Sequence, residues 1–273
     1  MTIIQAIKNI LKFILPPPTK SFVREINELR CHLFQLEEEH KLIFKKLDEL
    51  SNKSSESIWA DIFNSTISES FWLKQKTFSP GRAALGYAAL YVLYRILNGI
   101  QPKHILELGM GQSTNMITQY AASSIETEHY IVEHDPEWIK FYKKEYPLTK
   151  QTMIVQLNTA FVPYKETETV RVFQDFKNTF SGKQFDLIVI DAPFGFDMPH
   201  YARIDILELL PECLCDSFVI MIDDSQRSGE KNTIKEILSI MDDAGIAYAV
   251  GNYVGEKSTT VICSKNNTFL TTL

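Results

Sequence analysis

Two periodicities divide the chain. From Phe22 the apolar positions recur at alternating steps of four and three, through Ile26, Leu29, Leu33, Leu36, His40, Ile43 and Leu47 to Leu50. That spacing predicts a helix with a heptad seam suited to another helix. His40 is its polar position, placed where a polar group can fix register. Ahead of the seam, Ile3, Ile4, Ile7, Ile10, Leu11, Ile14 and Leu15 lie at helical spacing with Lys8 and Lys12 between them. They read as an amphipathic, mildly basic helix, too short to span a bilayer and stopped by Pro16-Pro17-Pro18. Such a helix suits an anionic membrane surface or the chain's own oligomer. The seam is expected to end in a linker at Asn52-Lys53-Ser54-Ser55-Glu56-Ser57. The expected organisation is therefore 1–18, amphipathic helix and proline break; 19–52, coiled-coil oligomerisation helix; and 58–273, a globular domain. The alternative for the second segment is a long helix folded back on that domain.

Residues 60–100 read as helical in two pieces, the second opened by Ser79-Pro80-Gly81 and continued by Leu85, Ala89, Leu93 and Leu97. After Pro102 the pattern changes to short apolar runs at 104–108, 130–133, 153–157, 185–190 and 218–222. Helical stretches lie between most of them, including 136–146 and 203–211. This alternation predicts a parallel sheet covered on both faces. Two last strands, 246–252 and 259–264, flank a turn and read as a hairpin. The expected fold class is α/β: a Rossmann-like, mostly parallel seven-stranded sheet with a C-terminal antiparallel hairpin.

Composition narrows the picture further. With 273 residues, 45% hydrophobic and 23% charged, the chain can bury one large core and carry an appendage. A net charge of −6 argues against a partner gripped through phosphates, so nucleic acid is not expected. Cys31, Cys213, Cys215 and Cys263 are too few and too irregular for a disulfide framework or a zinc site. The apolar N-terminal stretch has no small-residue cleavage site, so it does not read as a cleavable signal peptide. A cytoplasmic location is expected, with residues 1–15 as a peripheral contact to the inner face of the cytoplasmic membrane.

The chemistry gathers at the carboxyl ends of the expected strands, where open parallel sheets bind ligands. Glu107, Gly109 and Gly111 follow the first strand, Glu133 the second, Asp191 the fourth, and Asp223 and Asp224 the fifth. The glycines permit a sharp turn and close approach of a ligand to the backbone. Glu133 stands where an acid can accept hydrogen bonds from ribose hydroxyls. A dinucleotide site wants a third small residue where this chain has Thr114. Glu107 would sit badly beside phosphates yet suits a cofactor with a cationic amino-acid end. Together these residues favour S-adenosylmethionine over a nicotinamide dinucleotide.

Glu-Leu-Gly-Met-Gly at 107–111, Glu133, Val-Ile-Asp191 and the terminal hairpin resemble the Rossmann-type (class I) S-adenosylmethionine-dependent methyltransferases over residues 80–264. Within that superfamily, Glu133-His-Asp-Pro-Glu-Trp138, Asp191-Ala-Pro-Phe-Gly195 with Pro199 and Arg203, and Asp223-Asp224 with Arg227 are similar to polysaccharide O-methyltransferases such as those acting on glucuronoxylan. Asp223 departs from that pattern, which usually has His. The trio Asp191, Asp223 and Asp224 also resembles the carboxylate set with which catechol-type O-methyltransferases hold a divalent cation such as magnesium. The resemblance implies a cofactor site of Glu107, Gly109, Gly111, Ser113, Glu133, His134 and Asp191, and methyl transfer to a saccharide hydroxyl. The alternatives are a metal-dependent enzyme of a small phenolic acceptor and a non-catalytic cofactor-binding scaffold in a glycan-assembly complex.

A sugar hydroxyl gives up its proton reluctantly, so a base or a hard cation is needed. Asp191 and His200 are the candidate bases, and Asp224 joins them as a catalytic or metal-binding carboxylate. Asp223 and Asp224 as helix caps are the plainer reading. Arg203 and Arg227, with Arg82 as a lesser candidate, are expected to orient an anionic sugar or to be solvated helix-end charges. Phe194, Phe196 and Tyr201 form either a stacking wall for a sugar ring or ordinary packing.

Overall fold

The computed structural model describes residues 19–81 and 83–273; the helix expected over 1–15 and Arg82 lie outside the described residues. The described residues divide into two units, the first ending at Ser51 and the second running from Asn52 to Leu273. A single helix, α1 (Lys20–Ile67), spans the division. In the first unit its seam residues are exposed along their length, Leu29, Leu36 and Leu50 among them. The expected break at 52–57 is absent, because the helix runs through it. Lys53 and Glu56 are good helix formers, and an apolar stripe resumes at Trp59, Phe63 and Ile67, the last two fully buried.

In the second unit the helix α2 (Tyr87–Ile100) starts later than the Ser79-Pro80-Gly81 signal implies. Gly81 sits at φ +87°, a conformation that opens no helix, and Gly86 takes the cap position instead. The strands are β1 (His104–Leu108), β2 (Glu128–Glu133), β3 (Thr152–Gln156), β4 (Thr159–Tyr164), β5 (Thr167–Phe173), β6 (Phe185–Ile190), β7 (Leu214–Ile222), β8 (Tyr248–Val254) and β9 (Ser258–Ser264). Seven form one sheet in the order β3-β2-β1-β6-β7-β9-β8. Its first five are parallel, and β9 runs antiparallel to both β7 and β8. The helices α3 (Gln112–Ala122), α4 (Pro136–Glu145), α5 (Phe176–Phe180) and α6 (Ser228–Asp243) complete the layers.

Alternate residues of the central strands face opposite cores. Ile105, Leu187 and Val219 pack with α2 and α3, while Leu106, Ile188 and Ile220 pack with α5 and α6. The strand order reverses between β1 and β6, and the carboxyl ends of β1, β2, β6 and β7 open onto one edge. β4 and β5 form a separate antiparallel hairpin that sequence reading did not anticipate. The helix expected over 203–211 is only a 3₁₀ turn at Asp205–Glu208, since Arg203 has φ +59° and Pro211 follows.

Candidate active site

The turn after β1 is held from three sides. Gly109 has φ +99°, and a Cβ added there would lie 2.9 Å from the Ala192 Cβ, so glycine is required twice over. The Met110 peptide is fixed at both ends: its N–H donates to Glu133 Oε2 (3.2 Å), and its carbonyl accepts from Trp138 Nε1 (2.7 Å). The Gly111 N–H donates to Thr114 Oγ1 at 2.9 Å. The residue that departs from a dinucleotide fingerprint is therefore the one that closes this turn. A Cβ on Gly111 would meet nothing within 4 Å, so this side of the turn is open to a ligand.

Glu133 is buried at the end of β2. Its Oε1 accepts from the backbone N–H groups of His134 (2.6 Å) and Asp135 (3.0 Å), and His134 Nδ1 lies 2.8 Å away. Oε2 carries only the Met110 bond, which leaves it acceptor capacity for a hydroxyl. Glu107 is fully buried, with Oε2 2.8 Å from His129 Nε2 and Oε1 unpartnered. An orphaned carboxylate oxygen beside an open glycine turn fits a cofactor that brings a cationic or donor group. Ser113 is buried in the first turn of α3, and His134 packs edge-on against Phe194, ring centroids 6.0 Å apart. Asp191, Gly109, Gly111, Glu107, Glu133, Ser113 and His134 thus lie on adjoining strand ends, as expected from sequence.

At the ends of β6 and β7 the three carboxylates of Asp191, Asp223 and Asp224 converge, each offering an oxygen within 4.8 Å of the others'. Cations already occupy the space between them. Arg203 Nη2 lies 3.1 Å from Asp191 Oδ1 and 3.0 Å from Asp224 Oδ2. Arg227 Nη1 is 2.9 Å from the same Asp224 oxygen. Lys257 Nζ is 3.1 Å from Asp223 Oδ2 and 3.4 Å from Asp224 Oδ1, and Thr259 Oγ1 donates to Asp223 Oδ1 at 2.9 Å. Glu230, fully buried, adds a fourth carboxylate 3.7 Å from Arg203 Nε. As arranged, this cluster does not fit a divalent ion: Asp224 Oδ1 and both Glu230 oxygens have no hydrogen-bond partner, but Arg203, Arg227 and Lys257 already supply the positive charge between the carboxylates.

Burial pushes the Asp191 carboxyl up to about 7, against the pull of Arg203. Burial also raises Glu230, opposed by Arg203. Lys257 is lowered by burial but raised more by Asp223, Asp191 and Asp224, so it stays above the ordinary lysine value. Arg203 and Asp224 both take left-handed backbone, φ +59° and +58°. Strain of that kind, about 1–3 kcal/mol per residue, persists where surrounding bonds over-determine the geometry.

Other expected site residues lie elsewhere. Arg203 is buried at 3% exposure among the carboxylates and is not free to meet an acceptor. Arg227 precedes α6 and pairs with Asp224 and Glu230. Neither Asp223 nor Asp224 caps α6 with its side chain; Arg227 holds that position uncapped. His200 and Tyr201 line a separate cleft of about 400 Å³ with Lys165, Glu166, Thr167 and Asn232. Tyr201 packs edge-on against Tyr164 at 5.0 Å rather than beside Phe194. Phe194 and Phe196 are exposed, 6.2 Å apart. Sequence reading gave no role to Lys257, Glu230 or Arg171, which grips Asp197 through both nitrogens (2.8 and 2.7 Å) and pins the loop after β6.

A seven-stranded sheet of this order, parallel except for its terminal hairpin, is a Rossmann-like α/β arrangement. No family model matches the chain, and no curated protein matches it. Among solved structures it is similar to the O-methyltransferase TomG from Streptomyces achromogenes with S-adenosylmethionine (SAM) bound, at 13% identity over 77% of this chain and 98% of that one, TM-score 0.46. It is also similar to the O-methyltransferase from Bacillus cereus in complex with SAH, at 14% identity over 78% and 91%, TM-score 0.45. A third is the SAH-bound Podospora anserina methyltransferase PaMTH1, at 14% identity over 74% and 95%, TM-score 0.46. At such identities and TM-scores the chemistry of this chain is read from its own side chains.

Proposed function

We propose that the chain is an S-adenosylmethionine-dependent O-methyltransferase acting on a saccharide hydroxyl. The observation that carries the cofactor reading is the open, doubly fixed glycine turn flanked by the free acceptor capacity of Glu133 and the orphaned Glu107 oxygen. The saccharide acceptor rests on the motif resemblance at 133–138, 191–203 and 223–227. When bound, the cofactor supplies an electrophilic methyl group on a sulfonium. Glu133 Oε2 would hold its ribose hydroxyls, Gly111 would admit it to the backbone, and the Glu107 carboxylate would offset its positive charge. Asp191 is the base. Its side chain keeps 18% of its surface exposed, and a carboxyl raised to about 7 matches proton transfer near neutrality. Arg203 and Lys257 hold the neighbouring carboxylates as fixed charges, so the proton on the acceptor hydroxyl passes to Asp191.

The exposed heptad seam supports a homo-oligomer through α1, and a cytoplasmic location remains the reading that composition favours. Among the described residues no helix is long and apolar enough to cross a membrane. The cofactor reading is tested by calorimetry with S-adenosylmethionine. We expect saturable binding to the unaltered chain, lost in Gly109→Arg and weakened about 10–100-fold in Glu133→Ala, which removes a charged hydrogen-bonding partner. No binding, or equal binding by all three, rejects it. Labelled methyl donor offered with saccharides and with phenols then identifies the acceptor class.

A further inference from the structure

The carboxylates at the ends of β6 and β7 have the composition of a metal site and the wiring of something else. Asp191, Asp223, Asp224 and Glu230 face Arg203, Arg227 and Lys257, which leaves one formal negative charge in a region closed to water on most sides. A divalent ion added to that set would turn it net positive unless it expelled Lys257, whose ammonium already stands 3.1 Å from Asp223 and 3.4 Å from Asp224. An ammonium has three hydrogens to place. Asp224 Oδ1 at 3.4 Å is an ion-pair contact without a hydrogen bond, while Lys257 donates to Asp223 Oδ2 and to the Ala84 carbonyl, 3.0 Å away. Its side chain is 11% exposed, and the turn between β8 and β9 fixes it there.

We propose that Lys257 is the resident cation of this centre: its ammonium stands between Asp223 and Asp224, Arg203 bridges Asp224 to Asp191, and the trio works without a divalent metal. The corollary is specific. Removing the ammonium leaves buried Asp223 without a cation and Asp224 Oδ1 without its ion pair, negative charge that a hard divalent cation would neutralise through oxygen ligands. The inference concerns ion binding by these side chains and stands whether or not the chain transfers methyl groups.

The probe is Mn²⁺ added to the full chain, with free ion read by electron paramagnetic resonance. The unaltered protein is expected to show no saturable Mn²⁺ site. Lys257→Met is expected to gain a single site per chain, at least about ten-fold tighter than anything seen before, and to lose it when combined with Asp223→Asn. Lys257→Gln is the second variant, keeping a polar side chain if the methionine form fails to fold. A saturable site in the unaltered protein that Asp223→Asn abolishes overturns the proposal. So does a folded Lys257→Met or Lys257→Gln that binds Mn²⁺ no better than the unaltered chain.

Discussion

Asp205, in the 3₁₀ turn, is buried with one carboxylate oxygen bonded to the Phe173 N–H at 2.6 Å and the other without a partner. Burial raises its carboxyl to about 7, more than the Phe173 bond lowers it. An unfolded aspartate loses its proton near ~3.9. Between those values the folded chain holds a proton that the unfolded chain has released, so stability falls as pH rises, by up to about 1.4 kcal/mol per pH unit. Asp205→Asn keeps an acceptor for Phe173 and removes the titration. Calorimetric Tm values should therefore fall less steeply from about pH 4 to about pH 7 in the variant, with the variant the more stable form above about pH 7. Parallel pH profiles for the two proteins would show that Asp205 is not the titrating group.

At the scale of elements, α1 presents an apolar seam that is exposed among the described residues. Leu29→Glu with Leu36→Glu places charge on that seam without touching the buried stripe at Phe63 and Ile67. If the seam assembles the chain as proposed, light scattering should show an oligomer for the unaltered protein and single chains for the variant, with melting of the sheet unit unchanged; an equal mass for both removes the seam from assembly. The bounds of β1 and β6 are legible in the sequence because each is a buried apolar run ended by turn or acidic residues. The β4/β5 hairpin is not, since Lys165-Glu166 carries no Asn or Gly even though Lys165 sits at φ +50°, and Pro163 falls inside a strand. The break at 52–57 reads as a linker by composition, yet polar helix formers continue a helix that the following apolar stripe anchors. The acids of the site were legible because strand ends are; their cations were not. Arg203 reaches them from a left-handed loop residue, and Lys257 from a hairpin turn without periodicity.

In the sheet unit as a whole, the turn that delivers Lys257 is clamped from two directions. On one side the Ser258 N–H donates to Gln226 Oε1 and the Ser225 N–H to the Ser258 carbonyl, both at 2.8 Å, tying the turn to the loop after β7. On the other, the Glu56 carboxylate accepts from the N–H groups of Glu256 (2.9 Å) and Tyr87 (2.5 Å), and Trp59 Nε1 donates to the Val254 carbonyl at 3.0 Å. A helix whose other end carries the seam thus also holds the turn that neutralises the carboxylates. Glu56→Ala leaves both N–H groups without that acceptor, which costs about 1–3 kcal/mol where they cannot reach water. Because Glu56 bonds neither the glycine turn nor Glu133, cofactor affinity by calorimetry should hold while turnover falls; Glu56→Gln, which retains an acceptor oxygen, should recover part of it. A parallel loss of cofactor affinity and turnover would mean that Glu56 supports the whole fold rather than the placement of Lys257.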